Sequence, residues 1–173
     1  MKYLLLLVAT VILISCGATV NYDYDTQTDF SGYKSYNFYP NISSNLSELD
    51  NARVIKSTDS ILQLRGFVKS ETPDILINFF ASEFITQSST TIGFGVGGGG
   101  HNGGVGVSGG VPVGGNEINQ QLTFDFIGEK ADKLIWKAEG NDVLKVKANS
   151  AQKDAYYFSL ISKMLSGYPP KKK

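Results

Sequence analysis

The stretch Ile118-Asn119-Gln120-Gln121-Leu122-Thr123-Phe124-Asp125-Phe126-Ile127 decides the fold. Leu122, Phe124 and Phe126 fall on one side of an extended chain, and Gln121, Thr123 and Asp125 on the other. A period of two marks a strand with one buried face, because successive side chains point to opposite sides. Gly128 to Lys133 supplies a turn. Leu134, Trp136 and Ala138 then repeat the alternation, which predicts a hairpin with these residues opposite the apolar trio. One face of such a sheet is wet, so helices must cover the other.

The flanking segments supply those elements. Asp74 to Ala81, opened by Pro73, is apolar on nearly both faces and is expected to be a central strand. Val20 to Asp25 alternates, and Tyr33 to Tyr39 is aromatic-rich and stopped by Pro40; both read as strands. Val54, Ile55, Thr58, Ile61 and Leu62 share a face at helical spacing. Asn45 with Glu48, or Ser47 with Asp50, can cap that helix, and Gly66 can end it in a left-handed conformation. A last helix is capped by Asn149 and Gln152 and carries the stripe Ala151, Ala155, Phe158, Ile161 and Leu165. Gly167 and Pro169-Pro170 stop it. The order predicts an α+β two-layer sandwich: a mostly antiparallel sheet, two helices on one face, and a long Gly-rich hairpin loop. Strand order is left open by the pattern.

The N-terminus carries a different message. Lys2 precedes Tyr3 to Ile14, an apolar run broken only by Thr10. A membrane-crossing helix needs about 20 residues, so this run suits the apolar part of a secretory signal instead. It ends in Leu13-Ile14-Ser15-Cys16, which resembles the bacterial lipobox. The resemblance implies a signal peptide over 1–15, diacylglycerol and palmitate-type acylation on Cys16, and a lipidated tether over 16–20. Only a good nucleophile can take the lipid, hence the thiol. Burying about 0.8 kcal/mol per methylene, two or three acyl chains make a lasting anchor. Gly17 stands where an aspartate often retains lipoproteins in the inner membrane, which favours an outer-membrane protein facing the periplasm.

Composition narrows the function classes. Sixteen basic residues balance sixteen acidic ones, so no overall field selects nucleic acid. The one cysteine excludes an internal disulfide. Residues 93–115 hold many glycines and match G-x-G-x-x-G at Gly95, Gly97 and Gly100. No helical pattern follows, and no Lys or Arg occurs between Lys69 and Lys130, which argues against a nucleotide. The insert is expected to be flexible, although Thr91 to Val96 and Val105 to Val113 could extend as hairpin arms. His101, without metal-ligating companions, reads as a solvated loop residue. Asp23 and Asp25 share a strand face near Asp29 and could bind a cation or act as a base; a solvated face is the simpler reading. Asp74 and Asp125 are similar cases. Tyr22, Tyr24, Tyr33 and Tyr36 could build a recognition surface or pack the core. Residues 171–173, three lysines, form a basic tail.

Asp29 to Tyr36 (Asp-Phe-Ser-Gly-Tyr-Lys-Ser-Tyr), Leu64 to Phe67 (Leu-Arg-Gly-Phe) and Pro73 to Ile77 (Pro-Asp-Ile-Leu-Ile) follow one another. Trp136-Lys137-Ala138 and a closing helix ending near Pro169-Pro170 complete the series. In order and spacing the chain resembles the bacterial lipoprotein family designated domain of unknown function 4136, over the single domain 21–170. The resemblance implies a secreted, lipid-anchored α+β domain with no established activity. The expectation is therefore a non-catalytic cell-envelope protein with no cofactor, a binding or structural module whose partner is an envelope protein or glycan. The alternative is a periplasmic carrier of a small apolar ligand. Cys16→Ala should accumulate as an uncleaved precursor without palmitate, read by metabolic labelling and gel mobility. Normal processing and labelling would remove the anchor.

Overall fold

The computed structural model describes residues 17–87, 91–95, 108–112 and 116–170. The expected signal segment 1–15, Cys16, His101, most of the glycine insert and the lysine tail lie outside the described residues. In chain order the elements are β1 (Thr19–Tyr24), β2 (Ser35–Phe38), α1 (Glu48–Leu64), β3 (Val68–Lys69) and β4 (Ile75–Gln87). β5 (Thr91–Gly95), β6 (Ser108–Pro112), β7 (Asn116–Gly128), β8 (Lys133–Lys145) and α2 (Ser150–Leu165) follow. Six strands form one sheet in the order β1-β8-β7-β4-β2-β3, and β5 pairs with β6 separately.

The sheet is mixed, which corrects the mostly antiparallel expectation. β1, β8, β7 and β4 are antiparallel neighbours, but β2 lies parallel to both β4 and β3. A parallel pair needs a crossover rather than a tight turn, and α1 supplies it between β2 and β4. Asp74 fixes where β2 begins: its carboxylate accepts from the backbone N–H groups of Lys34 and Ser35 and from the Ser35 hydroxyl, at 2.9, 2.9 and 2.8 Å. Those donors, the Lys34 N–H first, hold its carboxyl below the usual range.

One sheet face carries the core. Ile75, Ile77 and Phe79 of β4, Leu122, Phe124 and Phe126 of β7, and Trp136 and Ala138 of β8 are buried there with Val54, Ile61 and Leu62 of α1. Ser47 is the cap of α1, accepting from the Asp50 N–H, so the second of the two proposed caps is used. Gly66 ends the helix at φ 86°, a conformation that glycine tolerates. The Asn149–Gln152 capping box forms as expected. The stripe of α2 is turned from the one read in sequence: Tyr157, Leu160, Ile161, Met164 and Leu165 are buried, while Phe158 is 46% exposed and Ala151 and Ala155 face solvent. The cause lies in β8. A Cβ at Gly140 would come within 2.7 Å of Met164 Sδ and 2.8 Å of Leu160 Cδ1, so this glycine draws those two residues onto the sheet. Asp50 of α1 binds Lys153 of α2, and Arg53 binds Asp154, locking the helices side by side.

A second correction concerns Leu134. The register slips between Phe126 and Ile127, so Phe126 pairs with Trp136 and Ile127 with Leu134. Ile135 is the extra residue of a bulge. Trp136 and Ala138 keep the core face, but Leu134 is displaced from it and is 47% exposed. The glycine insert also differs from a loop throughout. Thr91–Gly95 and Ser108–Pro112 pair antiparallel, with Ile92 opposite Val111 and Phe94 opposite Gly109. Equal numbers of residues, 88–90 and 113–115, separate this ladder from Gln87↔Asn116, so β5–β6 keeps the register of β4–β7.

Trp136 is fully buried against Phe126 and Tyr168. Trp136→Ala should therefore cost about 3–5 kcal/mol, whereas Leu134→Ala, two residues away, should cost under about 1 kcal/mol. Denaturant unfolding of the two variants checks the difference, and equal losses would refute the bulge assignment.

Candidate functional site

The strands give the domain two ends. Asp25, Asp74, Gly128 and the start of β2 lie at one, and Gln87, Asn116 and Lys145 at the other. The first end carries a cleft of about 640 Å³. Three pieces of local structure build it. Asp29 accepts from the Ser31 N–H (3.1 Å) and hydroxyl (2.8 Å), closing a 3-10 turn at Phe30–Gly32 that presents Phe30. The left-handed turn at Gly66 reverses the chain after α1 and places Arg65 and Phe67 side by side. The segment after α2 brings Tyr168 beneath them and Pro169 to the rim. Tyr33 and Lys34 also line it, with Thr28, Ser31 and Pro170 around them.

The walls are aromatic. Phe30 meets Tyr33 at 6.2 Å and Tyr168 at 6.0 Å between ring centroids, and Phe67 meets Tyr168 at 5.7 Å. Arg65 gives the cleft its charge. Its Nη1 donates to the carbonyls of Leu165 and, at 3.0 Å, Tyr168, the negative end of the α2 dipole. Among the described residues no carboxylate pairs with it. Partial burial alone moves its pKa down, and the group remains a cation. A guanidinium among aromatic faces, with a lysine on the rim, can hold a carboxylate while a flat ring stacks beside it.

The carboxylates singled out in sequence are not brought together as a catalytic group. Asp25 follows β1 and is held by Lys133 Nζ (2.6 Å), the Gln27 N–H and the Thr28 hydroxyl. Those bonds, Lys133 first, lower its pKa to about 2. Asp29 caps the 3-10 turn, and Asp74 starts β2. Asp23 lies opposite Lys137, and Lys137 opposite Asp125, on the open face. Burial raises the Asp125 pKa despite Lys137. Among the described residues no three His, Cys, Asp or Glu side chains gather as a metal site. The tyrosines divide: Tyr36 is fully buried and donates to Asp59, Tyr24 is half-buried, Tyr22 lies across Gly167, and Tyr33 lines the cleft. Arg65, Phe30 and Phe67 were not legible as a site. The Leu-Arg-Gly-Phe run marked the helix stop, but nothing in the sequence showed that α2 would end against it.

A family model described as "Domain of unknown function (DUF4136)" matches residues 20–170. No curated protein matches the sequence. Among solved structures, a PDZ domain protein from Parabacteroides distasonis ATCC 8503 aligns with a TM-score of 0.53 at 16% identity, over 95% of this chain and 39% of that one. The chain thus spans about two-fifths of that protein's length. The PelC dodecamer from Paraburkholderia phytofirmans aligns with a TM-score of 0.54 at 15% identity, over 90% of this chain and 99% of that one. At such identity these likenesses concern the fold. No helix among the described residues is long and apolar enough to cross a membrane.

Burial, with the nearby Asp59 carboxylate second, raises the Tyr36 phenol to about 12, and burial raises Tyr157 to about 12. Tyr156 and Tyr168 are pushed higher still, by burial first. Each folded value lies above the ordinary 10.0, so the fold retains protons that the unfolded chain releases. Stability should hold below pH 10.0 and fall as pH rises toward about 12. A tyrosinate absorbance titration should show this group ionising late, together with unfolding. Smooth titration of every tyrosine near 10.0 in the folded protein would contradict the burial.

Proposed function

Because the chain belongs to the family described as Domain of unknown function (DUF4136), a description that carries no activity, we propose that it works by binding rather than catalysis. In this reading it is a cell-envelope lipoprotein, held through lipid on Cys16 to the outer membrane and facing the periplasm. Its cleft takes a negatively charged segment of an envelope glycan. The single observation that carries the reading is Arg65, a cation without a carboxylate partner among the described residues, set in an aromatic cleft. Sugar rings offer flat apolar faces to Phe30, Tyr33 and Phe67, and an acidic sugar adds a carboxylate for the guanidinium fork.

Two further observations support a binding role. Asp25, Asp29 and Asp74, the aspartates nearest the cleft, are occupied in an ion pair, a turn and a strand start, which favours binding over proton transfer there. The carrier alternative requires room between helices and sheet, yet that space is filled by fully buried Trp136, Phe79, Phe124, Phe126, Tyr157 and Leu160.

Arg65→Ala should weaken binding of a polyuronate oligosaccharide at least about 10-fold, since a hydrogen bond to a charged group contributes about 1.5–3 kcal/mol. Arg65→Lys, which keeps charge but loses the fork, should fall between. Calorimetric titration checks this, with melting curves confirming that each variant is folded and a neutral oligosaccharide as comparison. Equal affinity of wild type and Arg65→Ala, or preference for an acidic peptide instead, would overturn the glycan assignment.

A further inference from the structure

The end opposite the cleft has its own chemistry, set by where the chain starts. Thr19 pairs with Asn141, so β1 begins at the arm end of the sheet, the end at which β4 and β7 continue toward β5 and β6. Only Gly17 and Ala18 separate Cys16 from β1, which begins at Thr19, so three residue steps span at most about 11 Å at ~3.5 Å per step. The Ala18 carbonyl accepts from Lys163 Nζ, which ties even this short stretch to α2. β8 meanwhile runs on from Asn141 to Lys145, about 13 Å at ~3.3 Å per residue, and the β5–β6 hairpin follows beyond Gln87 and Asn116. The sheet thus reaches farther in this direction than the tether can.

The arm carries exposed apolar side chains where it leaves the domain, just inside the cross-strand pair of Glu117 with Lys145. Phe84 and Ile85 are 64% and 69% exposed and, as successive strand residues, lie on opposite faces. Phe84 is level with Asn119 and Val143, and Ile85 with Ile118 and Leu144. No Asp, Glu, Lys or Arg occurs between Glu83 and Glu117. Beside the arm, β8 ends at the exposed Lys145, cross-strand from Glu117, and the exposed Lys147 follows, a lysine pair that anionic headgroups can attract.

We infer that the arm formed by the outer parts of β4 and β7 with β5 and β6 is a second membrane contact, resting on the phospholipid surface into which Cys16 is anchored. The inference rests on the lipid anchor proposed above. Contact is interfacial: β4–β7 and β5–β6 have open edges, and unpaired backbone groups are excluded from hydrocarbon. Anchor and arm together orient the domain, with the Arg65 cleft directed away from the membrane.

The test uses the lipidated full-length protein in vesicles of phosphatidylethanolamine and phosphatidylglycerol. Cys16 carries the acyl chain there, so a cysteine introduced at one position is the only free thiol. Phe84→Cys, Ile85→Cys and, at the cleft end, Lys130→Cys are each labelled with a polarity-sensitive fluorophore. Labels at 84 or 85 should shift to the blue and be quenched by spin-labelled lipid, whereas the label at 130 should do neither. Water-like emission at 84 and 85, matching that at 130 while palmitate labelling confirms lipidation, would overturn the membrane contact and leave the anchor intact. Absence of palmitate would remove the anchor, and the inference with it.

Discussion

The packing of Trp136 against Phe126 and Tyr168 holds the cleft end of the domain together. Their ring centroids lie 4.7 to 5.2 Å apart, and all three rings are buried. Tyr168 follows α2, so this cluster fixes the end of that helix to the β7–β8 hairpin. The end of α1 then joins it, because Arg65 donates to the Leu165 and Tyr168 carbonyls. The cleft is the outer surface of the same cluster. Phe30 and Phe67 of its wall touch Tyr168, and Arg65, which closes the α2 terminus, gives it charge. Binding at this site would therefore act on groups that also hold sheet and helices together.

Gly140 plays the corresponding part at mid-sheet. Without a Cβ there, Met164 and Leu160 descend onto β8, and the face of α2 that becomes buried is the one these two share with Tyr157, Ile161 and Leu165. Asp50, accepting from Lys153 and Arg53, then sets α1 and α2 at one spacing. Partly buried charges of this kind add geometric definition more reliably than stability. The consequence is a two-layer body with unlike ends: an aromatic cationic cleft at one, a hairpin arm with exposed Phe84 and Ile85 at the other. Antiparallel pairing of β1 with β8 decides which end lies next to the chain's start. The proposed anchor and the proposed binding site thereby lie toward opposite ends of β1.

The hairpin of β7 and β8, the central position of β4, both helix caps and the stop at Gly66 were legible because each depends on neighbours within a few residues. Alternation, capping distance and glycine's access to positive φ are local properties. The misreadings involve partners or irregularities that a local pattern does not carry. The parallel placement of β2 depends on Asp74 reaching Lys34 and Ser35 across about forty positions of sequence. The exposure of Leu134 follows from a bulge, which alternation by itself does not reveal. The rotated stripe of α2 depends on a glycine in a neighbouring strand.

The same division runs through function. By itself the sequence supplied the lipobox resemblance at Cys16, the alternating hairpin and the family resemblance, since each is a pattern of adjacent residues. Only the tertiary structure decided that Arg65, Phe30 and Phe67 share one cleft over the buried Tyr168, and that the hairpin arm leaves the sheet at the end where β1 begins. Those residues come from segments tens of positions apart, and a cleft's charge and shape exist only after the core has packed them into contact.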